Sequence, residues 1–178
     1  MLIGVRRPGE LNPDQDIAMR RTKGFSLIEL LRVVALVLIL TAIAVPSFLR
    51  SRMAANESAA AESIRTLNTA QISYNSAYPT VGFAATLGAL AGDPPNCAPP
   101  SSTSACLIDD ALASGSKSSY SFTLNNVTGT PNSTYNVFAS PSTVNYSGMR
   151  YFCSYSDAVV RVSMTPISTC DGTVSPQN

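Results

Sequence analysis

The 178-residue chain contains no histidine and no tryptophan, and only 13% of it is charged. Without histidine it lacks the commonest acid–base side chain and the imidazole metal ligand, which excludes Ser-His-Asp chemistry and mixed Cys/His zinc sites. Charge is balanced as well as scarce, with 12 basic against 11 acidic residues. Beyond residue 76 the cations are Lys117, Arg150 and Arg161, set against Asp93, Asp109, Asp110, Asp157 and Asp171. No basic stripe remains to collect counterion-release energy from phosphates, so nucleic-acid binding by the main surface is not expected. The adjacent pair Asp109-Asp110 has no spaced loop of oxygen ligands behind it and reads as solvated loop or helix charge rather than a calcium site. The expectation is a chain that is no enzyme and holds neither metal nor cofactor.

What the sequence does have is concentrated near its start. Val33 to Leu49 is an uncharged run of 17 residues, which as a helix rises about 26 Å against a hydrocarbon core of about 30 Å. With Leu27, Ile28, Leu30 and Leu31 ahead of it, the run can cross a membrane. Arg20, Arg21 and Lys23 precede it, so the positive-inside rule places the amino terminus in the cytoplasm and the rest outside. Glu29 lies within the apolar stretch, where an ionised carboxylate costs roughly 2.5 to 3.5 kcal/mol, and an intramembrane carboxylate is by default a functional one. Arg32 follows three residues later on the same helical face. Two arrangements are open: Arg32 snorkels to the cytoplasmic headgroups and leaves Glu29 free, or Glu29, Arg32 and a neighbour's amine form a three-charge cluster. Ala42, Ala44 and Ser47 near Pro46 offer a weak site for ordinary signal peptidase, against which stand the basic, glycine-ended run before Phe25 and the Glu inside the span.

The run Arg20-Arg-Thr-Lys-Gly-Phe-Ser-Leu-Ile-Glu29, leading into Val33-Val-Ala-Leu-Val-Leu-Ile-Leu40, resembles the prepilin leader of type IV pilins and type II secretion pseudopilins. The resemblance implies that a membrane-embedded prepilin peptidase cuts between Gly24 and Phe25 and methylates the new amine of Phe25. It divides the chain into a cleaved leader (1–24), a transmembrane and filament-core helix (25–49), and a periplasmic or extracellular head (50–178) that includes the second half of the helix. Glu29 matches the family's glutamate, whose pairing with a neighbour's Phe25 amine would set the stagger between subunits, the best attested use of a buried ion pair. Pro46 matches the proline that ends the buried half of the family's helix. Leu38 stands where the family commonly has glycine, and Arg32 where it has an aliphatic residue. The leader is long, and Met19 offers an alternative start that would leave a short basic leader and make residues 1–18 an upstream misreading.

The implied partners are identical subunits in a helical filament, the peptidase, a membrane platform protein with its cytoplasmic ATPase, and the inner membrane before assembly. The implied function is structural: a type IV pilus subunit serving adhesion, motility or uptake at the cell surface. The alternative is the major pseudopilin of a type II secretion system in a periplasmic pseudopilus, which Tyr78-Pro79 and the segment Gly148 to Asp157 also resemble. A third reading from another class is a monomeric, membrane-anchored periplasmic binding module, which would have a ligand-sized cleft and no need of Glu29.

The rest of the chain reads as α+β. Ser51 to Tyr74 carries Ala60, Ile64, Leu67 and Tyr74 near one face at helical spacing, interrupted by Gln71, so one long helix from about Phe25 to Ser76 is expected, kinked or unwound at Pro46. Pro- and Gly-rich segments between 78 and 104 predict loop, with a short apolar turn at Phe83 to Leu90 docking between them. Period-two alternation at Tyr120, Phe122, Leu124; at Tyr135, Val137, Ala139; at Tyr151, Cys153, Tyr155; and at Val160, Val162, Met164 predicts four short strands. Turns at 125–132, 147–148 and 156–158 make them an antiparallel meander that lays one face on the helix. All four cysteines fall in the outward-facing part, and pairing Cys97 with Cys106 and Cys153 with Cys170 closes two local loops. Sequons begin at Asn126, Asn132 and Asn145 and read as composition, with surface glycosylation as the lesser alternative.

Overall fold

Helix α1 spans Leu27–Ala77 and is the chain's main structural element. The computed structural model describes residues 24–92, 97 and 99–177, which fall into two compact units divided after Ala42. In the first unit, Ser26 sits just ahead of the helix and its carbonyl accepts from the N–H groups of Glu29 and Leu30 at 3.0 and 3.1 Å. Leucine, valine and isoleucine then follow one another on all sides of the helix, and every residue of this stretch is exposed. The helix is unbroken at Pro46, so the unwinding considered from the sequence is absent; one missing backbone bond and its local clash do not terminate a helix held by many turns on either side.

In the second unit the helix acquires a buried stripe. Ala60, Ile64, Leu67 and Tyr74 are sequestered, joined by Ala61 and Ala70. They pack on one face of a five-stranded antiparallel sheet in the order β1-β2-β3-β4-β5: β1 Ser116–Lys117, β2 Tyr120–Gly129, β3 Asn132–Pro141, β4 Tyr151–Tyr155 and β5 Arg161–Ser163. The architecture is α+β, with one strand more than the sequence predicts, because β1 is a two-residue extension paired to the start of β2. The hairpin is also longer than expected: residues 125–129 continue β2, and only Thr130-Pro131 turns.

The inner face follows the register. Tyr120 opposes Pro141, Phe122 opposes Ala139 and Leu124 opposes Val137, while Ala139 opposes Phe152 and Phe152 opposes Val162. On β4 this corrects the predicted alternation by one residue. Phe152 and Ser154 line up with Ala139 and Val137 on the helix side, whereas Cys153 belongs to the opposite row. The reason is burial: this register sets Phe152 opposite Ala139 in the core, and the Cys153–Cys170 crosslink lies on the outer row. On β5, Val160 and Val162 pack on the core while Met164 is exposed.

Two short helices close the remaining side. Helix α2, Leu87–Leu90, is N-capped by Thr86, and Leu90 is fully buried. Helix α3, Asp110–Ala113, is N-capped by Asp109, whose carboxylate accepts from Leu112 N–H at 2.8 Å. Ahead of α2, the turn at Gly82 presses so closely on the backbone of Asn132 that any Cβ would collide, and its φ of +86° also calls for glycine. Crosslinks Cys97–Cys106 and Cys153–Cys170 bridge 9 and 17 residues. The second ties the tail down, and two backbone bonds, Val162 N–H to Ser175 and Gln177 N–H to Val160, lay that tail along the free edge of β5.

Candidate functional site

The residues singled out at the amino-terminal end are all exposed. Gly24, Phe25 and Ser26 precede the helix in non-helical conformation, and Phe25 is 78% accessible. A Cβ at Gly24 would meet nothing within 4 Å. No packing among the described residues requires glycine there. Gly24 to Ser26 form a short, exposed, irregular segment ahead of the helix.

Glu29 lies four residues after Phe25, in the first turn of α1. Among the described residues no ion pair joins Glu29 to Arg32, although both stand on the first turns of the helix. The serine-to-glutamate spacing of Ser26 and Glu29 is that of a capping box, yet only the Ser26 carbonyl takes part in the turn. Among the described residues the Glu29 carboxylate has no ion-pair partner. The helix that carries it includes a window long and apolar enough to span a membrane, none of which is buried in the protein.

The head uses its polar groups internally. Gln71, which breaks the apolar stripe in the sequence, is fully buried and hydrogen-bonds both ends of one residue: its Nε2 donates to Ala84 O at 3.1 Å and its Oε1 accepts from Ala84 N–H at 2.8 Å. It acts as a piece of strand on a helix, docking the loop before α2. Asn68 does the same for the sheet. Its Nδ2 donates to Ser154 Oγ at 2.9 Å and to Ala158 O at 3.1 Å, and its Oδ1 accepts from the Tyr135 hydroxyl at 3.1 Å. Burial pushes the Tyr135 phenol up to about 12, with the Asp157 charge adding to it.

Asp157 and Arg161 form a charged group whose arginine is nearly buried, with Arg161 Nη2 2.6 Å from Asp157 Oδ2 and its guanidinium 4.3 Å from the Tyr155 ring centroid. Burial raises the Asp157 carboxyl, but bonds from Arg161 and from Val159 N–H outweigh it and hold the group below its ordinary value. Asp109, read from the sequence as solvated loop or helix charge, is exposed and also caps α3 and pairs with Lys117 at 2.5 Å. Those bonds, the lysine first, lower its carboxyl. Asn132 donates its side-chain N–H to Phe83 O at 2.8 Å, so this sequon asparagine is engaged in docking the loop. None of these roles was visible in sequence spacing, because each depends on which loop packs against which face.

Two hollows flank the carboxyl-terminal tail. One of about 210 Å³ lies between the outer face of the sheet at Phe138 and Tyr151 and the segment 166–168. The other, about 530 Å³, lies within the fold of the tail and is lined by Ser and Thr with Val162, Met164, Pro166, Ile167 and Val174. Neither contains a charged residue or a nucleophile beside a base. Among the described residues no three His, Cys, Asp or Glu side chains gather as a metal site. The apolar end of α1 is exposed throughout and makes no contact with this core.

A family model described as the prokaryotic N-terminal methylation motif matches residues 19–45. No curated protein and no solved structure is significantly similar to the chain.

Proposed function

We propose that this protein, whose residues 19–45 match the prokaryotic N-terminal methylation motif, is a type IV pilin-like protein and the structural subunit of a type IV pilus. Prepilin peptidase cuts between Gly24 and Phe25 and methylates the Phe25 amine. The methylated amine keeps its positive charge and becomes the external partner for a neighbour's Glu29. The observation that carries the reading is the exposed apolar half of α1, with Glu29 set directly behind the uncovered Gly24–Phe25 segment.

So much apolar surface needs a partner. In the waiting subunit that partner is inner-membrane lipid, with the amino terminus in the cytoplasm and the head outside. In the filament it is identical helices, and transferring the helix from one apolar surrounding to the other leaves the Glu29–amine pair to choose the stagger. A platform protein and an ATPase supply the work of extraction. Arg32 snorkels to the cytoplasmic headgroups before assembly, which leaves Glu29 available. A second reading, the major pseudopilin of a type II secretion system, is favoured by the Tyr78-Pro79 turn and by Arg150-Tyr-Phe152 at the start of β4.

Mass spectrometry on filaments sheared from the cell surface tests the proposal. The expected result is this chain as the dominant subunit, beginning at methylated Phe25. A processed chain confined to the membrane fraction would transfer the assignment to the pseudopilus, and an uncut chain would leave an anchored module.

A further inference from the structure

The loop joining β3 to β4, residues 142–150, is held far more firmly than its position on the surface demands. Asn56 Nδ2 donates to Ser147 O at 2.9 Å. The Glu57 carboxylate accepts from the N–H groups of Met149 and Arg150 at 2.8 and 3.3 Å, and the Arg150 guanidinium lies 3.5 Å from it. From the sheet, the Tyr120 hydroxyl donates to Arg150 O at 2.9 Å, and Gly148 lies so near the Tyr120 ring that a Cβ would collide with it. Yet this pinned loop exposes apolar side chains: Val144 is 49%, Tyr146 60% and Met149 50% accessible. A fixed loop that presents apolar groups has a surface to meet.

Its place along the helix indicates which surface. The anchors Asn56 and Glu57 come before the buried stretch that begins at Ala60, and they belong to the same unit as the apolar residues Ile43 to Leu49. The uncharged run before them is short: a core of about 30 Å counted from Val33 ends near Arg52. Asn56 lies four residues further, about 6 Å, while the headgroup layer on each side of the core is about 5 to 8 Å thick. A short span is met by drawing the flanking residues toward the lipid. Arg50 and Arg52 are exposed, and among the described residues neither has an ion-pair partner. They stand where phosphate headgroups would meet them, and tyrosine is a residue that favours this layer.

We infer that in the unassembled subunit the β3–β4 loop rests on the outward-facing phospholipid surface, with Val144, Tyr146 and Met149 in the headgroup layer and Arg50 and Arg52 against lipid phosphates. The inference rests on the membrane-anchored stage of the proposed function. It gives the head a fixed pose on the bilayer, and extraction of a subunit then has to break this contact as well as empty the helix from the lipid.

The absence of tryptophan from the chain makes the test direct. Tyr146→Trp, Leu40→Trp and Ile72→Trp, each in the full chain, are reconstituted into phosphatidylcholine–phosphatidylglycerol vesicles with and without lipid brominated near the headgroup end of the acyl chain. Val144→Trp is carried as a second loop reporter in case one site perturbs the loop. The expected result is blue-shifted emission and quenching by brominated lipid at 146 or 144, with unshifted, unquenched emission at 72, which is 53% accessible on the head half of α1. Water-like, unquenched emission at 146 and 144 with quenching at 40 would overturn the inference while leaving the anchored stage intact. A blue shift at 146 without lipid quenching would also overturn it, since another copy would then be the cover. Failure of quenching at 40 would instead remove the anchored stage itself.

Discussion

One helix contains two regions built on opposite terms. From Leu27 to Leu49, α1 is almost wholly apolar and wholly exposed; from Ala60 to Tyr74 it buries Ser63, Asn68 and Gln71 beside its alanines, isoleucine and leucine. The oilier half is the naked one, and the more polar half is the core. Burial within a chain therefore follows the shape and hydrogen bonding of what the chain itself supplies. Apolarity all round a helix announces a partner that the chain does not supply. The same side-chain chemistry stabilises the fold in one region and is left exposed in the other.

Breaking the comparison at its sharpest point should have the largest effect. Glu29→Ala is expected to abolish incorporation into filaments while leaving the head folded, and Arg32→Leu is expected to be tolerated. Counting sheared filaments by electron microscopy and measuring head stability by denaturant unfolding checks both. Normal filaments from the Glu29→Ala strain would remove the register role. Next in size is the contrast between two leucines. Leu67→Ala should cost about 2 to 5 kcal/mol of head stability by the lost transfer energy and the cavity left behind, whereas Leu36→Ala, 57% of whose leucine surface is already accessible, should leave the unfolding midpoint unchanged.

Two further changes sharpen the picture of the head. Opening the 17-residue loop closed by Cys153 and Cys170, by changing both to Ser, is expected to cost about 3 kcal/mol through unfolded-state entropy. Non-reducing peptide mapping should recover Cys97 joined to Cys106 and Cys153 to Cys170; a Cys97–Cys153 peptide would overturn that pairing. Asp157→Asn should cost about 3 kcal/mol by stranding the nearly buried Arg161. The Asp157 carboxyl is held below its ordinary value in the folded protein by its bonds from Arg161 and Val159 N–H. Its stabilisation is therefore fully present above that value and is lost as pH falls below it, so the variant should flatten the acid limb of stability.

The smallest effect expected is that of Tyr135→Phe, about 1 kcal/mol from the hydrogen bond that Asn68 loses. Its signature lies at high pH. The Tyr135 phenol is raised from 10.0 to about 12, so the folded state keeps a proton that the unfolded state releases. Stability should fall between pH 10 and about 12, and the variant should fall less steeply.

Much of this architecture could be read before any coordinates. The helix came from the spacing of Ala60, Ile64, Leu67 and Tyr74, and the sheet from alternation at Tyr120 to Leu124 and Tyr135 to Ala139. The apolar end was read from its own composition. Gln71 was legible only as a flaw, because a buried amide that replaces a strand partner looks in sequence like any surface glutamine. On β4, Tyr151-Phe-Cys-Ser-Tyr155 alternates plausibly in either register, and only the pairing of Phe152 with Ala139 decides between them. Asp109 as a cap, and Asn56 with Glu57 as anchors of a loop some ninety residues away, depend on three-dimensional return of the chain. No local pattern encodes that.

The edges of the sheet carry a last consequence. The tail occupies the outer side of β5 through its bonds at Val162 and Gln177, and the stub β1 shields the start of β2. Heads crowded side by side on a membrane or a fibre would otherwise be suited to stitching their sheets together, strand to strand, into an indiscriminate aggregate. The β5 border is covered and the β2 border only at its start, so strand-to-strand growth would have to begin on the outer half of β2.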